Sequence, residues 1–389
     1  MYKKRSLKNA VLKASRGYPV VLIIGPRQSG KTTFVKDLFG NFYYTNLEDP
    51  EQRLIATEDP KRFLSLADKM IIDEVQKKPD LLSYIQVLVD SDLKKRFVLT
   101  GSQNLLLLEK VSQSLAGRVG IFTLLPFDWE ELKKGGWAKK DVFSQVFYGS
   151  YPALYKRKIS PINWYADYIT TYVERDVRDL LKVKDLNAFQ RFLRLCAGRV
   201  GQILNLSSLA TDLGVSVNTV KGWLSVLEAS FLIFLLPPFY ENIKKRIIKS
   251  PKLYFYDTGI VCRLLGIRSI EELKLHPLFG NIFENFCAAE IKKQNFHHNL
   301  NLDLFFIRDS SGREVDVVYK TTEATVGIEI KSSFTFSNRL ISNLNYFESV
   351  FEKNFKKILI HAGEKEFNFK GVSVKNWMIT TKKWILNGF

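Results

Sequence analysis

The first 125 residues alternate short, unbroken apolar runs with stretches of helical spacing. PVVLIIG (19–25), KMIIDE (69–74), RFVLTGS (96–102) and VGIFTLL (119–125) are apolar throughout, as strands covered on both faces must be. FYYTNLE (42–48) mixes aromatic and polar residues and reads as a fifth, weaker strand. Strands separated by crossover helices predict a parallel sheet and an α/β fold class. From Pro126 to about Gln190 the period becomes helical, and Tyr165, Tyr168, Ile169, Tyr172 and Val173 recur at spacings of three and four, an aromatic stripe expected in the core.

A second helical block runs from Asn205 to Phe234. Leu206, Leu209, Ala210, Leu213, Val215, Val220, Leu224 and Leu227 are spaced as in two helices meeting at a sharp turn, with Gly214 in the turn. If the second helix enters a major groove, Ser216, Asn218, Thr219 and Lys221 face DNA. That face carries a single basic residue, so a winged-helix module that packs between domains is an equal reading. Lys244, Lys245, Arg246 and Lys249 follow as a candidate phosphate-contacting wing, and the Ser-Pro break after them marks the last domain boundary. The expected domains are therefore 1–125, a helical lid region over 126–195, a winged helix-turn-helix-like region over 196–248, and a mixed α/β domain over 249–389.

Length and composition agree with several folded domains: 389 residues, 46% hydrophobic and 25% charged. Charge adds something new. Lys and Arg number 58 against 40 Asp and Glu, a formal net charge of +18, which favours a polyanionic partner such as DNA or an anionic membrane surface. Cys196, Cys262 and Cys287 lie far apart, with no spacing for a zinc site or disulfide framework, and point to a reducing, cytoplasmic compartment. The longest apolar run, Phe231 to Leu236, falls short of the roughly 20 residues of a membrane span, so no membrane partner is expected.

Residues 25–32 read Gly25-Pro26-Arg27-Gln28-Ser29-Gly30-Lys31-Thr32, a complete G-x-x-x-x-G-K-[ST] P-loop placed after an apolar strand and before an amphipathic helix that opens at Thr33. Its glycines let successive amides surround ATP phosphates, Lys31 adds positive charge at the β and γ phosphates, and the Thr32 hydroxyl can ligate Mg²⁺. The run MIIDEVQ ends in two acids: Asp73 to hold Mg²⁺ and Glu74 to polarise an attacking water. The third strand ends in Thr100-Gly101-Ser102, where Ser102 is the candidate contact to the γ-phosphate or the water. Arg118, just before the fifth strand, is a candidate arginine finger for a neighbouring subunit, which would require a homo-oligomer; a plain surface arginine is the equal alternative.

Near the C-terminus REVDVVYK and VGIEIKSS read as two strands. Period-two geometry puts Glu329 and Lys331 on one face, with Asp316 able to join them from the preceding strand and Glu284 from the helix around IFENFCAAEI. Asp316, Glu329 and Glu284 with Lys331 can bind Mg²⁺ and orient a water for phosphodiester attack.

The chain resembles the prokaryotic AAA+ ATPases that combine an N-terminal P-loop ATPase with a C-terminal domain of unknown function. The likeness rests on GPRQSGKTT, IIDEVQ, VLTGSQ, LAGRVGIFTLLPF, YGSYPALY, YVERDV, LEASFLIFLLPPF, KSPKLYFYDTGI and the GREVDVV to GIEIKSS region. It implies an AAA+ type sheet with the P-loop strand at its centre, and supports the roles given to Ser102 and Arg118. The family's C-terminal domain is similar to the restriction-endonuclease-like fold, whose D…(D/E)xK core Asp316, Glu329 and Lys331 resemble; Val315 stands where that core commonly has proline. The expectation is an ATPase that hydrolyses ATP with Mg²⁺ and binds DNA, with a candidate nuclease domain. The alternative is a nucleotide-dependent regulatory or scaffold ATPase whose C-terminal domain is catalytically inactive.

Overall fold

The structure, a computed structural model, describes residues 4–102, 110–111, 113–173, 185–239, 250–351 and 354–378. These form two compact units: Met1–Pro126 with Ala229–Phe231 and Phe296–Asn299, and Phe127–Glu228 with Leu232–Asn295 and Leu300–Phe389. Among the described residues no helix is long and apolar enough to cross a membrane.

The first unit is built on a parallel sheet of β1 (Val20–Ile24), β2 (Tyr43–Asn46), β3 (Lys69–Asp73), β4 (Arg96–Gly101) and β5 (Val119–Thr123), in the order β2-β3-β4-β1-β5. Helices α1 (Lys8–Gly17), α2 (Lys31–Leu38), α3 (Pro50–Glu58), α4 (Pro60–Ser65) and α5 (Leu81–Ser91) accompany it. Cross-strand register sets Val21 beside Val98 and Ile71 beside Val98, so Val21, Ile23, Ile71 and Val98 share one face and pack with Phe34 and Val35 of α2 and Val11 of α1. Leu22, Ile24, Met70, Ile72, Phe97 and Leu99 alternate with them and are equally buried, which is why these runs are apolar at every position.

Edge strands account for the departures from that pattern. β2 is an edge strand with Tyr43 exposed and Thr45 buried, hence the mixed composition of its run. β5 is the other edge, and its Ile121 is 43% exposed, so the expectation of cover on both faces fails there. The P-loop strand β1 is interior, between β4 and β5, but it is not the centre: β4 is. Helices α3 and α4 start where Asp49 and Asp59 accept amide hydrogen bonds at 2.9 Å and Pro50 and Pro60 occupy the first turn.

In the second unit the expected aromatic stripe is real: Tyr165 and Tyr168 are buried and pack with Tyr151 and Trp164 at centroid distances of 4.9–6.2 Å. Ile169 is buried too, while the Tyr172 and Val173 side chains lie outside the described residues. Helix Leu206–Leu213 is capped by Asn205 and ends at Gly214, whose φ of 68° is open to glycine at little cost. Ser216 then accepts the Thr219 amide at 3.1 Å to start helix Val217–Ala229. Ribbon strands β6 (Ile233–Leu236) and β7 (Lys252–Phe255) pair antiparallel; Lys244, Lys245, Arg246 and Lys249 lie outside the described residues.

Beyond helix Phe279–His297 comes a six-stranded mixed sheet of β8 (Leu304–Arg308), β9 (Glu314–Lys320), β10 (Thr325–Lys331), β11 (Phe355–His361), β12 (Phe367–Phe369) and β13 (Val372–Asn376), ordered β12-β13-β11-β10-β9-β8. Its β10 and β11 are parallel and β9 and β10 antiparallel. Ile307, Val315, Leu359, Val372 and Val374 form a core with Ile341, Leu344 and Phe347 from the segment that joins β10 to β11.

Candidate functional site

The turn from β1 into α2 needs its glycines. Gly25 has φ 152°, and a Cβ there would lie 2.2 Å from the Leu124 carbonyl oxygen; Gly30, at φ 96°, precedes the first residue of α2. Gln28 is also left-handed at φ 63°. Residues Gly25, Pro26, Arg27, Gln28, Ser29, Gly30, Lys31, Thr32 and Thr33 thus form a loop with positive φ at Gly25, Gln28 and Gly30 that runs into the N-terminus of α2. Arg5 braces the loop from behind by donating to the Ser29 carbonyl at 2.9 Å and to the Leu125 carbonyl. Ser29 is fully buried and its hydroxyl has no partner among the described residues. Lys31 is 5% exposed and folds back on the loop, donating to the carbonyls of Gly25 and Pro26 at 3.0 and 2.9 Å. Burial pushes its ammonium down to about 8 against the opposing pull of Glu74 and Asp73.

The acidic half of the site follows from the sheet's register. Asp73 and Thr100 continue the face begun by Ile71 and Val98, one pleat repeat further on, so adjacent strands bring them together and the Thr100 hydroxyl donates to Asp73 Oδ1. Asp73 Oδ2 accepts from Thr32 at 2.7 Å and from Tyr44 at 2.9 Å. Burial, reinforced by Asp73, pushes the Tyr44 phenol up, so it stays a donor. Glu74 leaves the strand with φ 58°, a strained conformation for a glutamate. Its carboxylate accepts from Ser102 at 3.3 Å and from Gln76, which also donates to Ser102 at 3.0 Å. The Thr100 hydroxyl meanwhile accepts the Glu74 amide at 3.2 Å.

The residues suit ATP and Mg²⁺: a loop with positive-φ glycines at Gly25 and Gly30, a buried lysine, a Ser29 hydroxyl with no partner among the described residues, and the hard oxygens of Thr32 and Asp73 already in contact. Ser102 reaches the constellation through Glu74. Thr100, Tyr44 and Gln76 were not singled out by the sequence reading. Thr100 stood in the same TGS run and its strand parity marked it, whereas nothing in the sequence ties Tyr44 to Asp73. Arg118 is elsewhere. It precedes Val119, which pairs with Val20 at the start of β1, so it lies at the sheet edge opposite the P-loop. Its guanidinium forks onto Asp90 at 2.6 and 2.8 Å, and a role at the site of its own chain is excluded.

The second constellation is assembled differently from the expected set. Val317 pairs with Ile328, so one step along Asp316 shares a face with Glu329, and Lys331 follows on that face. Lys331 contacts Glu329 at 2.7 Å and Asp316 at 3.7 Å, and Asp316 accepts the Ile330 amide at 2.8 Å. The tight carboxylate group, however, is Glu284, Glu314 and Asp316, without Glu329. Glu314 sits two residues before Asp316 and on the same face, a position period two could have found. At the centre of these acids is Lys252 of β7, at 2.6 Å from Glu284, 2.6 Å from Glu314 and 3.4 Å from Asp316. Glu284 also accepts from Tyr254 at 2.6 Å, and Glu314 from Arg308 at 3.1 Å. Glu329 instead takes a bond from Asn343 at 3.3 Å, and its second oxygen is buried without a partner among the described residues.

Burial and the Asp316 charge push Glu284 up to about 7 and Glu329 up to about 8. Burial would also raise Asp316, but Lys331 and Lys252 outweigh it and hold that carboxyl below the usual range. For Lys252 the cost of burial is overcome by Tyr254 and the surrounding acids, and the ammonium is held well above its ordinary value.

Sequence families match along the chain: an AAA domain over residues 17–133, a domain of unknown function (DUF8612) over 139–271, and another (DUF4143) over 279–381. The uncharacterized protein Rv2008c of Mycobacterium tuberculosis and the uncharacterized protein Mb2031c of Mycobacterium bovis are each 31% identical over 346 residues, covering 86% of this chain and 75% of the relative. Among solved structures, the Walker-type ATPase PABY2304 of Pyrococcus abyssi aligns at 17% identity and a TM-score of 0.45, over 68% of this chain and 96% of that one, too distant a likeness to bear on function. The chain belongs to the same family as the two mycobacterial proteins and carries an AAA-type P-loop ATPase domain at its N-terminal end.

Proposed function

We propose that the protein hydrolyses ATP with Mg²⁺ and that turnover controls its engagement of DNA. The observation that carries the reading is the single network in which Thr32, Asp73, Thr100, Glu74 and Ser102 are bonded to one another beside the P-loop. The backbone N–H groups of the loop from Arg27 to Thr33 and the Lys31 ammonium bind and orient the phosphates. Thr32 and Asp73 are the residues to hold Mg²⁺, which would neutralise charge on the β and γ phosphates. Glu74 orients the attacking water and accepts its proton, while Ser102 and Gln76 hold that carboxylate in place. Thr100 and Tyr44 hold the Asp73 carboxylate in place by donating to it.

The DNA half of the proposal draws on the net charge of +18 and on the winged helix-turn-helix-like reading of residues 196–248, in which Ser216, Asn218 and Lys221 are exposed at the start of helix Val217–Ala229. ATPase rate measured with and without duplex DNA tests the two halves together. Stimulation by DNA that weakens as salt rises is the expected result. A rate indifferent to DNA at low salt, together with no binding there, would remove DNA from the account. Arg118 keeps a role only in trans, within a homo-oligomer. Mixing Arg118→Ala with Lys31→Ala chains should then change the rate non-additively.

A second reading is favoured by Lys252: a regulatory or scaffold ATPase whose restriction-endonuclease-like domain is catalytically silent. The Glu284, Glu314 and Asp316 carboxylates that a nuclease would give to a metal are bonded to a lysine. Absence of Mg²⁺- or Mn²⁺-dependent cleavage in a protein that still hydrolyses ATP would select this reading over the nuclease.

A further inference from the structure

Glu284 of helix Phe279–His297 and Glu314 and Asp316 of β9 gather around a cation that is part of the chain. Lys252 is 1% exposed and sits on a backbone clamped from both sides: it pairs with Leu236 of β6 and bridges Ile203, while the preceding Pro251 carbonyl accepts the Leu204 amide at 2.8 Å. Its ammonium is therefore delivered by two backbone pairings rather than by a flexible surface stem, and all three of its protons find carboxylates. Glu284, Glu314 and Asp316 offer oxygens that lie within 4.8 Å of one another, close enough to share one small cation.

We propose that Lys252 is the resident cation of this cluster and occupies the place of a divalent metal, so that Glu284, Glu314 and Asp316 take up Mg²⁺ or Mn²⁺ only when the lysine charge is removed or withdrawn. Charge balance supports it. Lys252, Lys331 and Arg308 already face Glu284, Glu314, Asp316 and Glu329. A metal ion entering beside Lys252 would meet like charge in a desolvated setting; a metal replacing it would meet three oxygen ligands and, nearby, the unused oxygen of buried Glu329. The lysine is thus a built-in plug on a latent metal site.

The inference concerns the same acids as the nuclease reading, and its readout is metal binding, which does not depend on cleavage. Mn²⁺ binding to the full-length, nucleotide-free chain is followed by electron paramagnetic resonance of the free ion. Wild type and Asp316→Asn should bind alike, since any uptake at the P-loop is common to both. Lys252→Met should gain about one Mn²⁺ per chain, and Lys252→Met with Asp316→Asn should lose it again. Wild-type binding that disappears in Asp316→Asn would overturn the proposal, as would a folded Lys252→Met that gains nothing. If Lys252→Met unfolds for want of its cation, recovery of its circular dichroism in millimolar Mn²⁺ supports the proposal and failure to recover overturns it. Plasmid cleavage by each variant, read in parallel, separates the two readings: metal gained without cleavage sustains the plug and ends the nuclease.

Discussion

Nucleotide binding should take up a proton, because the P-loop lysine is held in two different electrostatic states. Without ligand, Lys31 is buried and its ammonium falls to about 8, opposed only by Glu74 and Asp73. Relative to an ordinary lysine that is a cost of about 3 kcal/mol at neutral pH. The β and γ phosphates replace lost solvation with direct negative charge and return the group to its protonated form. About a tenth of the apo protein lacks the proton at pH 7, about half at pH 8 and about nine-tenths at pH 9. Affinity for MgATP should therefore drop about twofold by pH 8 and about tenfold by pH 9 relative to pH 6.5. Titration calorimetry with a non-hydrolysable analogue in buffers of different ionisation heat measures the uptake directly; excess Mg²⁺ keeps the γ-phosphate ionised throughout. Uptake that stays near zero from pH 7 to pH 9 would refute the reasoning. The apo chain shows the opposite slope. Its folded state binds fewer protons than the unfolded chain between about 8 and 10.4, so this group's contribution to stability grows as pH rises through that window.

Other perturbations follow from single contacts. Glu74→Gln keeps the shape and the Ser102 neighbour but removes the base, so ATP binding should persist while kcat falls by roughly 10²- to 10⁴-fold in a coupled phosphate-release assay. Gly25→Ala places a methyl 2.2 Å from the Leu124 carbonyl oxygen at φ 152°, and binding of a fluorescent ATP analogue should be lost; unaltered binding would show that the loop relaxes freely. Asp257 accepts from the Ser150 amide and hydroxyl at 2.8 and 2.7 Å and from the Tyr165 hydroxyl and Gly259 amide at 2.6 and 2.9 Å. An asparagine turns its amide toward two of those buried donors, so Asp257→Asn should cost about 3–5 kcal/mol in urea unfolding, and a loss under about 1 kcal/mol contradicts this network.

Several of these features could be read before any fold was known because they depend on neighbours close in sequence. The P-loop is one turn, and its glycines, lysine and threonine lie within eight residues of each other. Strand parity alone put Glu329 and Lys331 on one face, and the same rule extends to Glu314 and Thr100. Tyr44 could not be found this way: it meets Asp73 only because β2 lies beside β3 in the sheet. Arg118 shows the reverse case: its place just before a strand of a parallel sheet already put it at the end opposite the P-loop, but only the fold shows that its guanidinium is taken by Asp90.

By itself the sequence determined the parallel sheet, the nucleotide loop with Asp73 and Glu74, and the shared face of Glu329 and Lys331, since those rest on periodicity and on short spacings that every copy of the pattern must satisfy. Tertiary structure decided which charges meet. Lys252 reads as one lysine among many in a basic chain, and only the pairing of β7 with β6 and Ile203 carries it to Glu284, Glu314 and Asp316, up to 64 residues away. The reason is physical: hydrophobic alternation constrains which face a side chain takes, whereas the partner of a buried charge is set by whichever opposite charge the packed chain delivers to the same desolvated place.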